Sequence, residues 1–458
     1  MNRLAVINVV GLTKGLIGEH TPAIERFAKG ATLSSFVPEF PAVTCTAQSS
    51  YLTGAAVAEH GIVGNGWYDR EYAEVRFWKQ SNHLVQGEKV WETLKRDDPE
   101  ATCAKMFWWY NMYSTADWAA TPRPMYPADG RKVFDIHTQP MDLRERIKED
   151  LGDFPFPSFW GPAAGIDSSK WIAESAKWIE NRESPTLNLI YLPHLDYCLQ
   201  KFGPDAAEVI PELKAIDTVV GDLISSFEKR GVQVALLSEY GISRVDRAIH
   251  LNREFRKRGW IQTKDELGLE TLDCGASRVF AVADHQIAHI YINDDAVRAE
   301  VTDLLNTLDG VEETREPSQI WGQGIATERA GDLIAVAEQD AWFTYYFWED
   351  DSKAPDYARC VDIHRKPGYD PVELFLDPEI NCPKMKIAKF LLKKKLGLRA
   401  LLNVIPLDAG LVKGSHGRDK VPVEEQPVFI AGGVEVSRAV DVAGAIRSLL
   451  LSGSTRTG

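Results

Sequence analysis

The chain has 458 residues, of which 44% are hydrophobic and 26% are charged, the balance of a folded globular protein. Its 66 acidic and 52 basic side chains give a net charge of −14, which disfavours a nucleic-acid polymer as partner. The six cysteines are scattered and none form a pair at two-residue spacing, which excludes a disulfide framework and a zinc knuckle.

The first apolar run, Leu4–Leu12, could be read as the core of a signal peptide. Asn8 interrupts it and no small-residue cleavage site follows, so we interpret it as a buried strand. No stretch approaches the length of a membrane-spanning helix. We therefore expect a cytoplasmic protein without integral membrane contact.

Three continuous, β-branched runs predict central strands of a parallel sheet: Leu4–Val10, Leu187–Leu192 and Val232–Leu237. Helical patterns lie between them, near Trp171–Asn181 and over Ile210–Lys229. Strands that alternate with helices predict a doubly wound, mostly parallel α/β fold with helices on both faces. Ligands in such folds bind beyond the carboxyl ends of the strands.

We divide the chain into three parts. Residues 1–245 form the first part of the core, residues 246–345 a cap, and residues 346–458 the return to the core. The cap prediction rests on Phe280–Ile292, which has the pattern of two strands around a turn, on a helix at Ala296–Leu308 and on a strand at Asp332–Ala337. Together these predict a small α+β insertion.

Two histidines of this cap, His285 and His289, lie four residues apart. On a helix that spacing would suggest a metal pair. In a hairpin the two lie on opposite arms of a turn, so we interpret them as turn and packing residues.

Nine of the 13 tryptophans lie between Trp67 and Trp178, among proline-rich pieces. The simpler interpretation is a long insertion packed by its own aromatic bulk. The alternative is a wall that stacks on a planar group of a substrate, because aromatic faces bind flat rings.

Lys384–Arg399 is typical of a basic helix with Ala388, Leu392 and Leu396 on one stripe. Such a helix can touch an anionic surface. We favour the interpretation that its charged face is solvated and that its apolar stripe packs against the core. The polar tail Ser452–Gly458 is expected to fray.

The segment FPAVTCTAQSSYLTG, Phe40 to Gly54, contains a helix start over Thr46–Leu52 with Thr44 or Cys45 near its N-cap. A hydroxyl there lies where helix N–H groups favour an anion. Alone, this pattern indicates no more than a capped helix.

Together with EHGIVGNGWYDR (Glu59–Arg70), the segment resembles the nucleotide pyrophosphatase/phosphodiesterase branch of the alkaline phosphatase superfamily. The resemblance extends to GEHTPAIERFAKGA (Gly18–Ala31) and to KGSHGRD (Lys413–Asp419). It implies that Thr44 is the nucleophile, that His416 is the late metal-binding histidine, and that Asn65 contacts substrate.

The resemblance also implies two divalent metals, usually zinc, but the ligand pattern departs from that of the family. Asp196 is retained, whereas the histidine expected four residues later is Gln200. The early aspartate position holds Val10, and the expected Asp-His pair is Glu239-Tyr240. The asparagine that contacts the phosphoryl oxygen aligns with Ala47. Because Val10 offers no ligand, a complete two-metal site is not expected.

We therefore expect one divalent ion, zinc by preference, held by Asp196, Glu239 and His416. The remaining candidates bind substrate: His194, Gln200, Tyr240 and Asn65. The favoured function is metal-dependent hydrolysis of a phosphoric diester or anhydride, on a small anionic molecule that carries a planar group. The alternatives are a catalytically altered small-molecule binding protein and a hydrolase or transferase that acts on a phosphonate or sulfate.

Overall fold

The computed structural model describes residues 1–398 and 400–452. Their α-helices are α1 (Pro22–Lys29), α2 (Thr44–Thr53), α3 (Val57–His60), α4 (Val90–Asp97), α5 (Leu143–Leu151), α6 (Ile166–Glu183), α7 (His194–Phe202), α8 (Val209–Glu228), α9 (Leu251–Lys257), α10 (Arg298–Thr307), α11 (Pro317–Trp321), α12 (Ile325–Arg329), α13 (Pro383–Lys395) and α14 (Asp441–Leu451).

Their strands are β1 (Leu4–Val9), β2 (Thr32–Ser35), β3 (Gly66–Asp69), β4 (Glu74–Phe77), β5 (Cys103–Met106), β6 (Trp118–Pro122), β7 (Ile136–Gln139), β8 (Leu187–Leu192), β9 (Gln233–Leu237), β10 (Ser243–Arg244), β11 (Arg247–Ile249), β12 (Thr263–Glu266), β13 (Leu269–Leu272), β14 (Val279–Asp284), β15 (Ile287–Ile292), β16 (Val311–Arg315), β17 (Leu333–Ala337), β18 (Ala341–Phe343), β19 (Gly414–Ser415) and β20 (Val428–Ala431).

The central sheet of the described residues has eight strands in the order β2-β20-β9-β1-β8-β5-β6-β7. The run from β9 to β6 is parallel, and the strands outside it pair antiparallel. The three predicted strands are β1, β8 and β9, which lie side by side in its middle. Because every residue of β1 and β8 is buried, they read as continuous apolar runs.

Helices cover the sheet in two groups. One group contains α1, α6, α7 and α8, and the other contains α2, α4 and α14. α6 packs on β8, and α14 packs on β1. The predicted doubly wound, mostly parallel α/β architecture is therefore the observed one.

The cap has a hydrophobic core of its own. β14, β15, β17 and β16 form an antiparallel sheet in that order, and α10 packs against β16. Tyr68 and Phe77, from the β3–β4 hairpin, pack into this same core. The domain boundaries proposed from the sequence stay a prediction. The core of the cap contains residues from both sides of the boundary between residues 245 and 246.

A third apolar cluster follows the cap and is rich in aromatic rings. It joins Tyr345, Tyr346 and Trp348 to Val404 and Ile405. The chain returns to the central sheet only with β20 and α14.

The basic helix forms as α13, but its stripe does not contact the core. None of its residues is buried, and Leu392 and Leu396 are 58% and 66% exposed. Ile387, on another side of the helix, makes the contact with the third apolar cluster. The prediction that this stripe packs against the core is therefore wrong. Arg399 and the tail residues 453–458 lie outside the described residues.

No helix in the described ranges is long and apolar enough to cross a membrane.

Candidate functional site

The predicted site residues lie at the carboxyl edge of the central sheet. Asp196 lies in the first turn of α7, directly beyond β8, and Glu239 comes two residues after β9. Thr44 is the first residue of α2, and the N-cap is Val43, not Thr44 or Cys45. Tyr51 fixes α2 to this edge by donating to the carbonyl oxygen of Ser238 at 2.9 Å.

A chain of hydrogen bonds joins Thr44 to Asp196 through Tyr240. The Tyr240 hydroxyl lies 2.9 Å from Thr44 Oγ1 and donates to Asp196 Oδ1 at 3.3 Å. Since Tyr240 has a single proton to donate, the Thr44 hydroxyl donates to Tyr240. Burial raises the pKa of Asp196 to about 7, against the hydrogen bonds of Tyr240 and Gln200, which lower it. This carboxyl can therefore take up a proton near neutral pH.

Glu239 is held as a buried, amide-clamped carboxyl. Asn8 Nδ2 and Gln48 Nε2 both donate to Glu239 Oε1 at 2.6 Å. Burial raises the pKa of Glu239 to about 8, and the hydrogen bonds from Gln48 and Asn8 oppose that rise. A carboxyl with this pKa is mostly protonated at pH 7.

His416 lies between two aromatic rings. Its ring stacks on Tyr240 at 3.6 Å and 9°, and lies 3.7 Å from the ring of His285. His416 Nδ1 donates to the carbonyl oxygen of Ala42 at 2.7 Å, and burial lowers the pKa of this histidine well below its ordinary value. The neutral ring therefore keeps a lone pair on Nε2, 3.7 Å from Asp196 Oδ1.

The interpretation of His285 as a turn residue is incomplete, because this turn is inserted into the site. His285 contacts both His416 and Tyr369, and its Nδ1 lies 2.9 Å from Asp284 Oδ1. His289 fits the packing interpretation, since its Nε2 donates to the carbonyl oxygen of Val63 at 2.9 Å.

Asn65 links helix α2 to the cap. Its Oδ1 accepts from the backbone N–H of Cys45 at 3.0 Å, and its Nδ2 donates to Asp284 Oδ1 at 3.0 Å. Its own N–H donates to Asp284 Oδ2 at 2.8 Å. Its contacts hold the two halves of the site together.

The remaining predicted residues differ in position. Gln200 is in the site, where Nε2 donates to Asp196 Oδ2 at 2.7 Å and Oε1 accepts from Tyr369 at 2.9 Å. His194 is directed elsewhere, with Nε2 2.8 Å from Glu212 Oε2 on α8. The structure therefore separates His194 from the Thr44 network.

The donor set does not fit the metal centre that the resemblance implies. Asp196 and His416 face each other, but Glu239 is held by Asn8 and Gln48. Across the described ranges, no group of three or more His, Cys, Asp or Glu side chains is arranged to hold an ion. Catalytic zinc takes three protein ligands, so these residues fit neither the two-metal site nor the single zinc expected here.

Aromatic side chains border the site and touch it at both ends. We name Trp78, Trp109, Trp160, Tyr197 and Tyr369 the aromatic rim. Neighbouring ring centroids along it are 4.7 to 6.1 Å apart. The backbone N–H of Trp109 donates to Gln48 at one end, and the Tyr369 hydroxyl donates to Gln200 at the other.

The tryptophan-rich region thus serves two purposes. Trp91, Trp108, Trp171 and Trp178 pack in the main core, as the simpler interpretation expected. The rim tryptophans lie beside the site, and the alternative that they stack on a planar group stays a prediction.

Sequence reasoning missed several residues of this network: Asn8, Gln48, Asp284 and Tyr369. Three signals were present. Asn8 is a polar residue within the apolar run of the first strand. Gln48 lies one helical turn after Thr44, and Asp284-His285 is an acid–histidine pair directly at a strand end. Nothing in the sequence marks Tyr369.

The model of the family described as type I phosphodiesterase / nucleotide pyrophosphatase matches residues 4–370. The chain belongs to this family. The family is named for enzymes that hydrolyse phosphodiesters and pyrophosphates. This agrees with the hydrolase class expected from the resemblance.

A curated relative is an uncharacterized pyrophosphatase/phosphodiesterase of Schizosaccharomyces pombe, 26% identical over 217 residues. That match covers 45% of this chain and 37% of the relative's length.

Solved structures share the fold. The human ectonucleotide pyrophosphatase/phosphodiesterase 5 matches with a TM-score of 0.59 and 15% identity over 98% of this chain and 95% of its own. The murine protein matches with a TM-score of 0.57, 15% identity and the same coverage. An inactive variant of the murine protein, in complex with AMP, matches with a TM-score of 0.57 and 14% identity over 99% of this chain and 95% of its own.

Proposed function

We propose that this chain hydrolyses a small phosphoric diester or anhydride, with Thr44 as the nucleophile. The observation that carries the proposal is the hydrogen-bond chain from Thr44 through Tyr240 to Asp196. It begins at the first residue of a ten-residue helix, where the helix N-terminus favours a phosphoryl group.

The residues can move a proton without a metal ion in the path. As Thr44 Oγ1 bonds to phosphorus and the bond to the leaving oxygen breaks, the Thr44 proton passes to Tyr240 and the Tyr240 proton passes to Asp196. Water then attacks the phosphothreonine, and the proton held on Asp196 returns through Tyr240 to Thr44 Oγ1 as the bond from Thr44 to phosphorus breaks. The proton that the attacking water loses goes to solvent and balances the proton that the leaving oxygen of the first step takes from solvent. A base whose pKa is near the working pH suits this role.

The substrate class follows from charge and shape. Because Glu239 is mostly protonated, an anion beside Thr44 meets less repulsion than two buried carboxylates would exert. The aromatic rim supplies faces for a planar group, and the murine structural neighbour is known in complex with AMP. We therefore propose a nucleotide-like substrate.

The test is turnover of bis-p-nitrophenyl phosphate and of dinucleotides, with and without a chelator. We expect Thr44→Val to abolish turnover and Tyr240→Phe to lower kcat about 100-fold, a size typical of general-base loss. Tyr240→Phe keeps the ring that stacks on His416, which makes it a matched control for packing. Chelation is expected to leave the rate unchanged. Turnover by Thr44→Val at the parental rate would exclude Thr44 as nucleophile.

A binding protein is the second candidate, favoured by the replacement of three family ligand positions by Val10, Gln200 and Tyr240. If the parent does not turn over any of these substrates but AMP raises its Tm, we assign a binding function. Trp78→Ala and Trp160→Ala should then weaken AMP binding, whereas Trp91→Phe, in the main core, should not.

A further inference from the structure

Helix α13 presents an apolar stripe to solvent. Met385, Leu392 and Leu396 are 68%, 58% and 66% exposed, and Ala388 between them is exposed as well. Their spacing of three and four residues places all four on one face of the helix. Exposed leucines occur singly on most surfaces, but a continuous stripe on one helix indicates an interaction surface.

Lysines flank this stripe on both sides. At 100° per residue, Lys384 and Lys395 lie along one border, and Lys389 and Lys393 along the other. Long lysine side chains can extend away from an apolar face and place their ammonium groups at a charged boundary.

The charge of this region is opposite to that of the remaining protein. Residues 380–407 contain six lysines and one arginine and no acidic residue. Removing these seven positive charges from the net −14 leaves −21 on the rest of the chain. The segment is thus a positive region of a strongly acidic molecule, and it favours an anionic partner.

The packing of α13 orients the stripe outward. Ile387 and Phe390 are partly buried, and Ile387 contacts the third apolar cluster. Lys394 Nζ also donates to the carbonyl oxygen of Lys132 at 3.3 Å. These residues lie opposite the stripe, so the helix is attached by one face while the other is free. Exposed Leu398 and Leu401 extend the apolar surface beyond the helix.

We propose that α13 docks this protein onto an anionic lipid surface. The leucines and Met385 enter the boundary between headgroups and acyl chains, and the flanking lysines contact acidic headgroups. Charge complementarity selects an anionic partner, and the apolar stripe between two rows of lysines matches the layering of a membrane interface. The helix lies on the membrane and does not cross it.

The test is co-sedimentation of the full chain with vesicles of phosphatidylcholine alone and of phosphatidylcholine with phosphatidylserine at about seven to three. We expect binding to the mixed vesicles and a decrease as salt rises. Lys389→Gln combined with Lys393→Gln should weaken binding about 30-fold, since each lysine near an anionic surface contributes about a factor of five. Leu392→Glu combined with Leu396→Glu should abolish binding.

Matched controls change the same residue types elsewhere. Leu267→Glu, at a fully exposed leucine, and Lys170→Gln, at an exposed lysine, should bind as the parent does. The α13 variants should keep the parental Tm, because none of the four substituted side chains is buried. Failure of the parent to bind mixed vesicles, or equal binding by parent and both α13 variants, would overturn the proposal. So would a parental dimer that dissociates in the leucine variant, which would assign the surface to a second copy of the chain.

Discussion

Tyr240 determines the chemistry that this site can perform. It stands where the family resemblance implies a metal-binding histidine, and its hydroxyl instead bridges Thr44 and Asp196. Its ring also covers His416. One side chain therefore contacts three of the residues that the family resemblance assigns to metal and phosphoryl chemistry, and we propose that it relays a proton where the resemblance implies a metal ligand.

A single substitution should restore a metal site at this edge. Gln200 lies one helical turn after Asp196 on α7 and hydrogen-bonds to it, and His416 Nε2 has no hydrogen-bond partner among the described residues. We expect Gln200→His to bind about one zinc ion per chain, because Asp196 and two histidines supply three ligands. The measurement is metal content after dialysis against zinc, with Gln200→Leu as control. Equal zinc in parent and Gln200→His would contradict this account.

At the scale of elements, strand β5 and the turn after it are held by a buried lysine. Lys105 Nζ donates to the carbonyl oxygens of Trp109 and Tyr110 at 2.8 and 3.1 Å. Phe107 and Tyr110 have positive φ angles of 65° and 55°, so this turn has a backbone that needs such support. The turn places Trp109 in the aromatic rim.

Lys105 should make stability depend on pH. Burial lowers its pKa from 10.5 to about 7. Between these values the unfolded chain binds a proton that the folded chain does not, so folding becomes more favourable as pH rises. We expect the free energy of unfolding of the parent to rise with pH, relative to Lys105→Met, by up to about 1.4 kcal/mol per pH unit above pH 7. Denaturant unfolding at several pH values measures this slope. Lys95→Met, at a partly exposed lysine, should keep the parental slope.

At the scale of the whole molecule, the cap completes the site. The β14–β15 turn places His285 against His416, and Asp284 is joined to the core through Asn65. The cap is therefore part of the wall of the site and not a separate appendage.

Removal of the Asn65 side chain should weaken the attachment of the cap to the core and lower the free energy of unfolding. Asn65→Ala leaves the N–H of Cys45 without its buried acceptor and removes one of the two side chains that contact Asp284 Oδ1, the other being His285, at a cost of about 3 kcal/mol. Urea unfolding measures this loss, and we also expect faster proteolysis. Asn181→Ala, at an exposed asparagine bonded to Arg230, serves as the control. A loss below about 1 kcal/mol, the value of an ordinary hydrogen bond, would show that the Asn65 side chain contributes little to stability.

The sequence by itself determined the fold and the position of Thr44. The strands β1, β8 and β9 are continuous apolar runs because both of their faces are buried, and that pattern is local enough to be read. Segment order and spacing identified the family, and the strand pattern placed Asp196 and Glu239 beyond the ends of β8 and β9. The absence of a metal ligand at Val10 could also be read directly.

Only the tertiary structure decided what replaced the metal ligands. Tyr240, Gln200 and Glu239 are spread along the sequence, and their partners Thr44, Tyr369 and Asn8 lie 169 to 231 residues away. A hydrogen bond between such residues depends on the packing of several elements and leaves no local pattern. The same reason applies to α13. Its stripe has helical periodicity whether it faces a core or solvent, and only the packing of Ile387 decides that it faces outward.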